Sequence, residues 1–253
     1  MKDHRVIETI HWHSLHPRYL GSQSRVLDLG ANYGLFAREV TERFGCHCVA
    51  VEPSPVAFHG MFRSPLITNI QAAISDHSGV MSFHVASEST ASSLLQKSVS
   101  HQQTIQVRAL SLPDLLAELR WPAIDLLKVD IEGAEIAMLA SCPDDLLMRV
   151  GQITIEFHDF CGITPLSDVR RTLDRLHDLG FFSVRMSRIG HQDTWLINRG
   201  LLKISSHELF FVRLVDRNLK GLRRVANRVF QKALGLTERA GHPGSARARP
   251  SRQ

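Results

Sequence analysis

The chain has 253 residues, 43% of them hydrophobic, 22% charged and 7% aromatic, with 16 Gly and 4 Cys. Those proportions exclude collagen-like, disulfide-scaffold and wholly disordered classes, and fit one large α/β domain with extensions. No apolar run approaches the roughly 18 residues a membrane span needs, and the polar start Met1-Lys2-Asp3-His4-Arg5 is unlike a secretory leader, so a soluble, cytoplasmic chain is expected. The formal charge of +5 is uneven: residues 217–253 hold ten of the 30 Lys/Arg and one of the 25 acids, leaving 20 against 24, a net −4, elsewhere. A nucleic-acid enzyme would concentrate basic charge around its site, so no nucleic-acid partner is expected for this mildly acidic body.

Residues 1–24, with His4, His11, His13 and His16, read as a short helix or a cover segment; His11, His13 and His16 are either a metal set or, lacking a recognised ligand spacing, solvent-facing or packing histidines, the preferred reading. An alternating βα pattern then begins. Arg25–Leu29 is a short apolar strand, Leu35–Phe44 a helix ending at Gly45, His47–Val51 a second strand and Val56–Phe62 a short helix. Ile67–Ile74 reads as one strand, and the turn Asp76-His77-Ser78-Gly79 leads into another, Val80–Val85. The Ser- and Gln-rich residues 86–103 read as a long loop, followed by a strand at Thr104–Leu110 and a helix at Leu112–Leu119 capped by Ser111. Further strands are expected at Ile124–Val129 and Ile153–Phe157, helices at Ala134–Ala140 and Leu166–Leu179, and a hairpin from Phe181–Met186 and Thr194–Asn198. Strands alternating with helices imply a mostly parallel sheet covered on both faces, with one antiparallel strand from the final hairpin.

Three signals carry chemistry. Asp28-Leu29-Gly30-Ala31-Asn32-Tyr33-Gly34 lies between the first strand and first helix, where doubly wound sheets bind ligands. Its spacing is not the Gly-x-Gly-x-x-Gly of a dinucleotide site. Asp28 stands where a carboxylate would repel pyrophosphate and suit a cationic amino-acid arm. Glu52, ending the second strand, can accept from both hydroxyls of a ribose. Together they describe S-adenosylmethionine, against the blander reading of a glycine turn and a surface Glu. The third signal is Leu126-Leu127-Lys128-Val129-Asp130-Ile131-Glu132-Gly133-Ala134-Glu135.

That decapeptide, with the Asp28–Gly34 loop, Glu52-Pro53-Ser54-Pro55, Ala72-Ala73-Ile74-Ser75-Asp76, Ser92-Ser93-Leu94 and Ile155-Glu156-Phe157-His158, resembles the FkbM family of S-adenosylmethionine-dependent methyltransferases over about residues 25–198. The resemblance implies a Rossmann-like, seven-stranded sheet with an antiparallel last strand. It also implies O-methylation of a hydroxyl on a carbohydrate, glycolipid or polyketide-like acceptor. Asp28, Gly30, Asn32 and Gly34 would hold the methionine portion, Glu52 the ribose, and Ala73–Asp76 the adenine, with Asp76 either accepting from the exocyclic amine or serving as a turn residue. Rival readings are a nucleic-acid or protein methyltransferase on the same fold, and a cofactor-binding module acting through its tail.

Candidate bases are Asp130, Glu132, Glu135, Glu156 and His158, with His158 preferred because an ordinary imidazole titrates near neutrality. Glu132 and Glu135 suit a helix N-terminus equally well. Asp130, Glu156 and His158 also form an O/N set compatible with Mg or Mn. Lys128, inside an apolar strand, needs an acidic partner, expected to be Glu135 or Glu156. Residues 25–200 are thus expected to form the methyltransferase domain. Residues 1–24 and 86–103 are the segments expected to govern acceptor choice. Residues 201–239 read as a strand at Leu209–Val215 and a basic amphipathic helix, of which 217–236 either contacts an anionic membrane surface or packs on the domain. Residues 240–253 read as a disordered tail.

Overall fold

The computed structural model describes residues 6–85 and 103–216. The serine pair Ser92-Ser93, the basic stretch 217–236 and the tail lie outside the described residues. Two short strands, β1 (Glu8–Ile10) and β2 (His13–Leu15), pair antiparallel and open the fold. Then follow β3 (Arg25–Leu29), α1 (Leu35–Phe44), β4 (His47–Val51), α2 (Pro55–His59), β5 (Ile67–Ile70), β6 (Ala73–Ser75), β7 (Gly79–Val85), β8 (Gln103–Ser111) and α3 (Leu112–Leu119). The second half comprises β9 (Ile124–Val129), α4 (Glu135–Ser141), α5 (Asp144–Leu147), β10 (Val150–Ile155), α6 (Leu166–Asp178), β11 (Phe181–Arg185), β12 (Thr194–Asn198) and α7 (Ser206–Phe211).

Seven strands form one sheet in the order β11-β12-β10-β9-β3-β4-β5. All neighbours from β10 to β5 run parallel, while β12 runs antiparallel to β10 and β11. Side chains alternate across it. Leu27, Leu29, Val49, Val51, Leu127 and Val129 pack under α3, α4 and α6. Val26, Cys48, Ala50 and Leu126 face the other way, onto Phe36, Ala37 and Val40 of α1. Both faces are covered, which is why these strands read as continuous apolar runs. The chain is therefore a Rossmann-like α/β protein with the expected antiparallel strand.

The structure departs from the sequence pattern in four places. Residues 8–15 form a hairpin, not a helix, turning through His11 (φ 40) and Trp12 (φ 72). Two consecutive left-handed residues are the mark of a type I′ turn, unsignalled here because neither is Gly, Asn or Asp. The expected strand Ile67–Ile74 is two strands: β5 closes the large sheet, and β6 joins β8 and β7 in a separate three-stranded sheet. The apolar stretch at 209–215 is helical, running from α7 into a π-helical turn, Val212–Asp216, because Leu209 and Val212 bury one face against Ile7, Val184 and Trp195. The short helix expected at Val56–Phe62 is confined to α2, entered by Pro55 with Ser54 as its cap.

The carboxyl ends of the parallel strands are stitched in sequence by backbone bonds. Glu156 N–H donates to Val129 O (2.9 Å), Asp130 N–H to Leu29 O (3.0 Å), Gly30 and Ala31 N–H to Val51 O (3.0 Å each), and Glu52 N–H to Ile70 O (3.0 Å). That ladder brings Glu156, Asp130, Gly30 and Glu52 onto one edge of the sheet. No helix of the described residues is long and apolar enough to cross a membrane, and the four cysteines are free thiols.

Candidate functional site

A cavity opens on this edge. Gly30, Asn32 and Glu52 line one side of it, Ala72, Ala73, Ile74 and Phe83 supply apolar wall, and Asp130, Ile131 and Glu132 close the end towards β10. Gly30 is required by geometry: its φ is 76°, and a Cβ there would lie 1.8 Å from the carbonyl oxygen of Asp130. The β3 and β9 loops touch at that point only because one of them carries no side chain. Glu52 is almost fully buried, yet its carboxylate accepts from Asn32 N–H (2.8 Å) and Ser54 N–H (2.9 Å). Burial raises its pKa, and the two N–H groups work against that rise.

Asp28 does not line this cavity. Cross-strand register places Asp28 of β3 directly beside Lys128 of β9, on the α1 side of the sheet, and both are buried. Lys128 Nζ lies 3.0 Å from Asp28 Oδ1, donates to Gly30 O at 2.7 Å, and reaches within 3.8 Å of Asp130 Oδ2. Asp28 thus supports the glycine loop from beneath through Lys128. The lysine's partners are Asp28 and Asp130, not the Glu135 or Glu156 expected from sequence. Burial disfavours the ammonium, but Asp28 and Asp130 outweigh it and keep the Lys128 pKa raised. Gly34 is likewise outside the cavity lining and starts α1 in a left-handed conformation. Asp76 is an exposed turn residue, taking the Ser75 hydroxyl (2.9 Å) and pairing with His77 (2.6 Å), away from the cavity wall.

Beyond Asp130 the site becomes densely charged. Glu135, fully buried at the start of α4, accepts from Ile131 N–H (3.1 Å) and Gly133 N–H (3.0 Å), and its Oε1 lies 3.0 Å from His158 Nδ1. One carboxylate therefore shapes the Asp130–Glu135 turn, where Glu132 sits at φ 55°, and anchors the imidazole. The opposite nitrogen of His158 faces Glu132 Oε2 (3.5 Å) and Asp130 Oδ1 (3.9 Å). Burial opposes charge on this ring, yet Glu135, Glu132 and Asp130 push its pKa up to about 9. These carboxylates favour the imidazolium form of His158. Burial, with the charges of Asp130 and Glu132, pushes the Glu156 carboxyl up to about 7. Burial would also raise Asp130, but Lys128, His13 and His158 hold it well below the usual carboxylate range.

His13, from the N-terminal hairpin, was not among the sequence candidates for this site. Its Nε2 lies 3.8 Å from Asp130 Oδ2. Among the described residues, Asp130 belongs to two groups whose nitrogen and oxygen atoms lie within 4.8 Å of one another: His13–Asp130–Glu156 and Asp130–Glu132–His158. The set Asp130, Glu156 and His158 is not itself such a group, so the expected cation ligands divide between two clusters that share one carboxylate. Phe83 was also missed, since it reaches the cavity from the separate three-stranded sheet.

Comparison with known proteins follows the same residues. Residues 28–182 match the model of the methyltransferase FkbM domain. The chain is 27% identical over 172 residues to 31-O-demethyl-FK506 methyltransferase FkbM of Streptomyces tacrolimicus, covering 54% of this chain and 66% of that protein, just under two thirds of its length. Among solved structures, it aligns with Aeropyrum pernix fibrillarin in complex with S-adenosyl-L-methionine (14% identity, TM-score 0.42, covering 70% of this chain and 66% of that one). A second alignment is with precorrin-6y C5,15-methyltransferase of Geobacter metallireducens (13% identity, TM-score 0.39, covering 70% and 80%).

Proposed function

Because the chain belongs to the FkbM methyltransferase domain family, we propose that it transfers the methyl group of S-adenosylmethionine to a hydroxyl oxygen of a small-molecule, glycan or polyketide-like acceptor, with Glu156 taking the proton. The observation that carries this reading is the shared wall. Asp130 and Glu132 border the cofactor cavity on one side and meet Glu156, His13 and His158 on the other.

The cavity fits the cofactor on its own chemistry. The Gly30 backbone presents a surface that any Cβ would fill, Glu52 keeps a fixed carboxylate for vicinal hydroxyls, and Ala72–Ile74 with Phe83 offer an apolar slot for a flat base. Bound there, S-adenosylmethionine supplies an electrophilic methyl on a sulfonium. The acceptor oxygen would take that methyl with loss of S-adenosylhomocysteine, and Glu156 would receive the hydroxyl proton. A carboxyl titrating near 7 is matched to that task, because it is substantially ionised at neutral pH and still basic enough to accept the proton. Asp130, kept ionised by Lys128, His13 and His158, orients the acceptor rather than titrating. Glu135 and His158 fix the turn that carries Glu132 and Asp130. Positioning of acceptor, methyl and sulfur in line is the protein's main contribution.

The test is calorimetric titration with S-adenosylhomocysteine, followed by its release from S-adenosylmethionine over a panel of hydroxylated acceptors. Binding that is lost on Glu52→Ala, with release that depends on an acceptor hydroxyl, supports the proposal. Binding without release from any acceptor would favour a cofactor-binding module instead.

A further inference from the structure

We infer that His13 binds the acceptor hydroxyl from the side opposite the cofactor, so that a hairpin lying ahead of the matched family domain completes the acceptor site; this rests on the methyl-transfer reading above. The matched domain begins at residue 28, and His13 stands on β2, outside it. The hairpin is nevertheless a fixed part of the sheet edge. Ser14 N–H and Oγ both donate to the buried Asp193 carboxylate (3.0 and 2.6 Å), just before β12. His16 N–H donates to Gln152 Oε1 of β10 (2.8 Å), and Gln152 Nε2 donates back to His16 O (3.2 Å). Ile10 and Leu15 are wholly buried in the core on the α1 side. His13 is thereby fixed next to the anchored Ser14 and opposite the buried Ile10, with its ring edge-on to Phe36 (5.8 Å between centroids) and Nδ1 3.4 Å from Thr154 Oγ1.

Its remaining nitrogen is directed at Asp130. The separation of 3.8 Å is too wide for a direct hydrogen bond. It does admit one oxygen about 2.8 Å from both atoms, at an angle of roughly 85°. The three groups His13, Asp130 and Glu156 offer atoms that all lie within 4.8 Å of one another. These three groups are close enough to surround one hydroxyl oxygen, with His13 Nε2 donating to it, Asp130 beside it on the cofactor cavity and Glu156 receiving its single proton. His13 is buried to 2% exposure beside Ile10 and Leu15, with its polar contacts directed to Thr154 and Asp130.

The experiment compares wild type, His13→Phe and His13→Gln. S-adenosylhomocysteine release is followed over a panel of monosaccharides, cyclitols and simple alcohols, beside S-adenosylhomocysteine affinity and thermal midpoint. For the best acceptor, His13→Phe is expected to raise KM at least tenfold while leaving S-adenosylhomocysteine affinity within twofold. His13→Gln, which keeps a donor, recovers most of the loss. Unchanged acceptor KM in His13→Phe overturns the inference. So does an equal loss of cofactor affinity in both variants, which would make His13 part of the scaffold. Stoichiometric Mn²⁺ binding by wild type that His13→Phe abolishes also overturns it, by assigning the three groups to a cation. Absence of turnover by wild type with every acceptor refutes the methyl-transfer reading, and the inference falls with it.

Discussion

Replacing Lys128 with methionine removes the cation that holds two loops of the site together. Lys128 is 4% exposed and Asp28 is fully buried, so the variant leaves a carboxylate in the sheet interior with its counter-charge gone and the Gly30 carbonyl without its 2.7 Å donor. Breaking a buried pair by deleting one partner costs about 3–5 kcal/mol, a large share of the roughly 5–15 kcal/mol that holds a domain of this kind folded. Removing both partners together, as Asp28→Asn with Lys128→Met, relieves the orphaned charge and is expected to return most of that loss. Urea unfolding at pH 7, followed by fluorescence of the fully buried Trp195, supplies the four corners of the double-mutant cycle. A single-variant cost below about 1 kcal/mol, or a double variant as unstable as the sum of the singles, would refute the pairing as the element that supports the loop.

Glu156→Gln keeps shape and loses the proton acceptor, so kcat is expected to fall by about 10²–10⁴-fold with S-adenosylhomocysteine affinity unchanged. In the wild type, kcat should rise with pH through about 7 as Glu156 ionises. His158 carries a folded-state pKa of about 9, above its ordinary 6.5. Its contribution to stability is therefore complete below pH 6.5 and lost as pH rises towards 9, and unfolding free energies of wild type and His158→Asn should converge across that interval. Because the proposed transfer uses Glu156 as its base, EDTA treatment is expected to leave activity intact; loss reversed by magnesium or manganese would place a cation on Asp130.

What the sequence made legible was local. The Asp28–Gly34 loop, Glu52 and the Lys128–Glu135 run each sit at a strand end, and periodicity alone places strand ends in a parallel sheet. Partnerships across the sheet were another matter. Nothing in the spacing distinguishes Asp28 from Glu135 as the partner of Lys128, because that choice follows from the β3–β9 register. The break between β5 and β6 is hidden in an apolar stretch that reads as one strand, and with it the arrival of Phe83 at the cavity. His158 reads as a base from its ordinary pKa, and the three carboxylates that push that pKa up are gathered around it by the fold rather than by spacing. Residues 1–24 read as a segment that governs acceptor choice, but the approach of His13 to Asp130 could not be read because it spans more than a hundred positions.

The anchoring of the first hairpin sets an order for synthesis. Its fastening bonds run from Ser14 to Asp193 and from His16 to Gln152, across 179 and 136 residues. Such distant closures form late, after the intervening chain is available to repay their entropy. On a ribosome, strands β3 to β5 and the two helices between them emerge long before β10 and β12, so the half that carries Gly30 and Glu52 is able to assemble while the first hairpin waits without a seat. Nascent chains arrested before residue 150 would therefore present the Gly30 and Glu52 loops without a seated hairpin, and the approach of His13 to Asp130 forms only once β10 and β12 have left the exit tunnel.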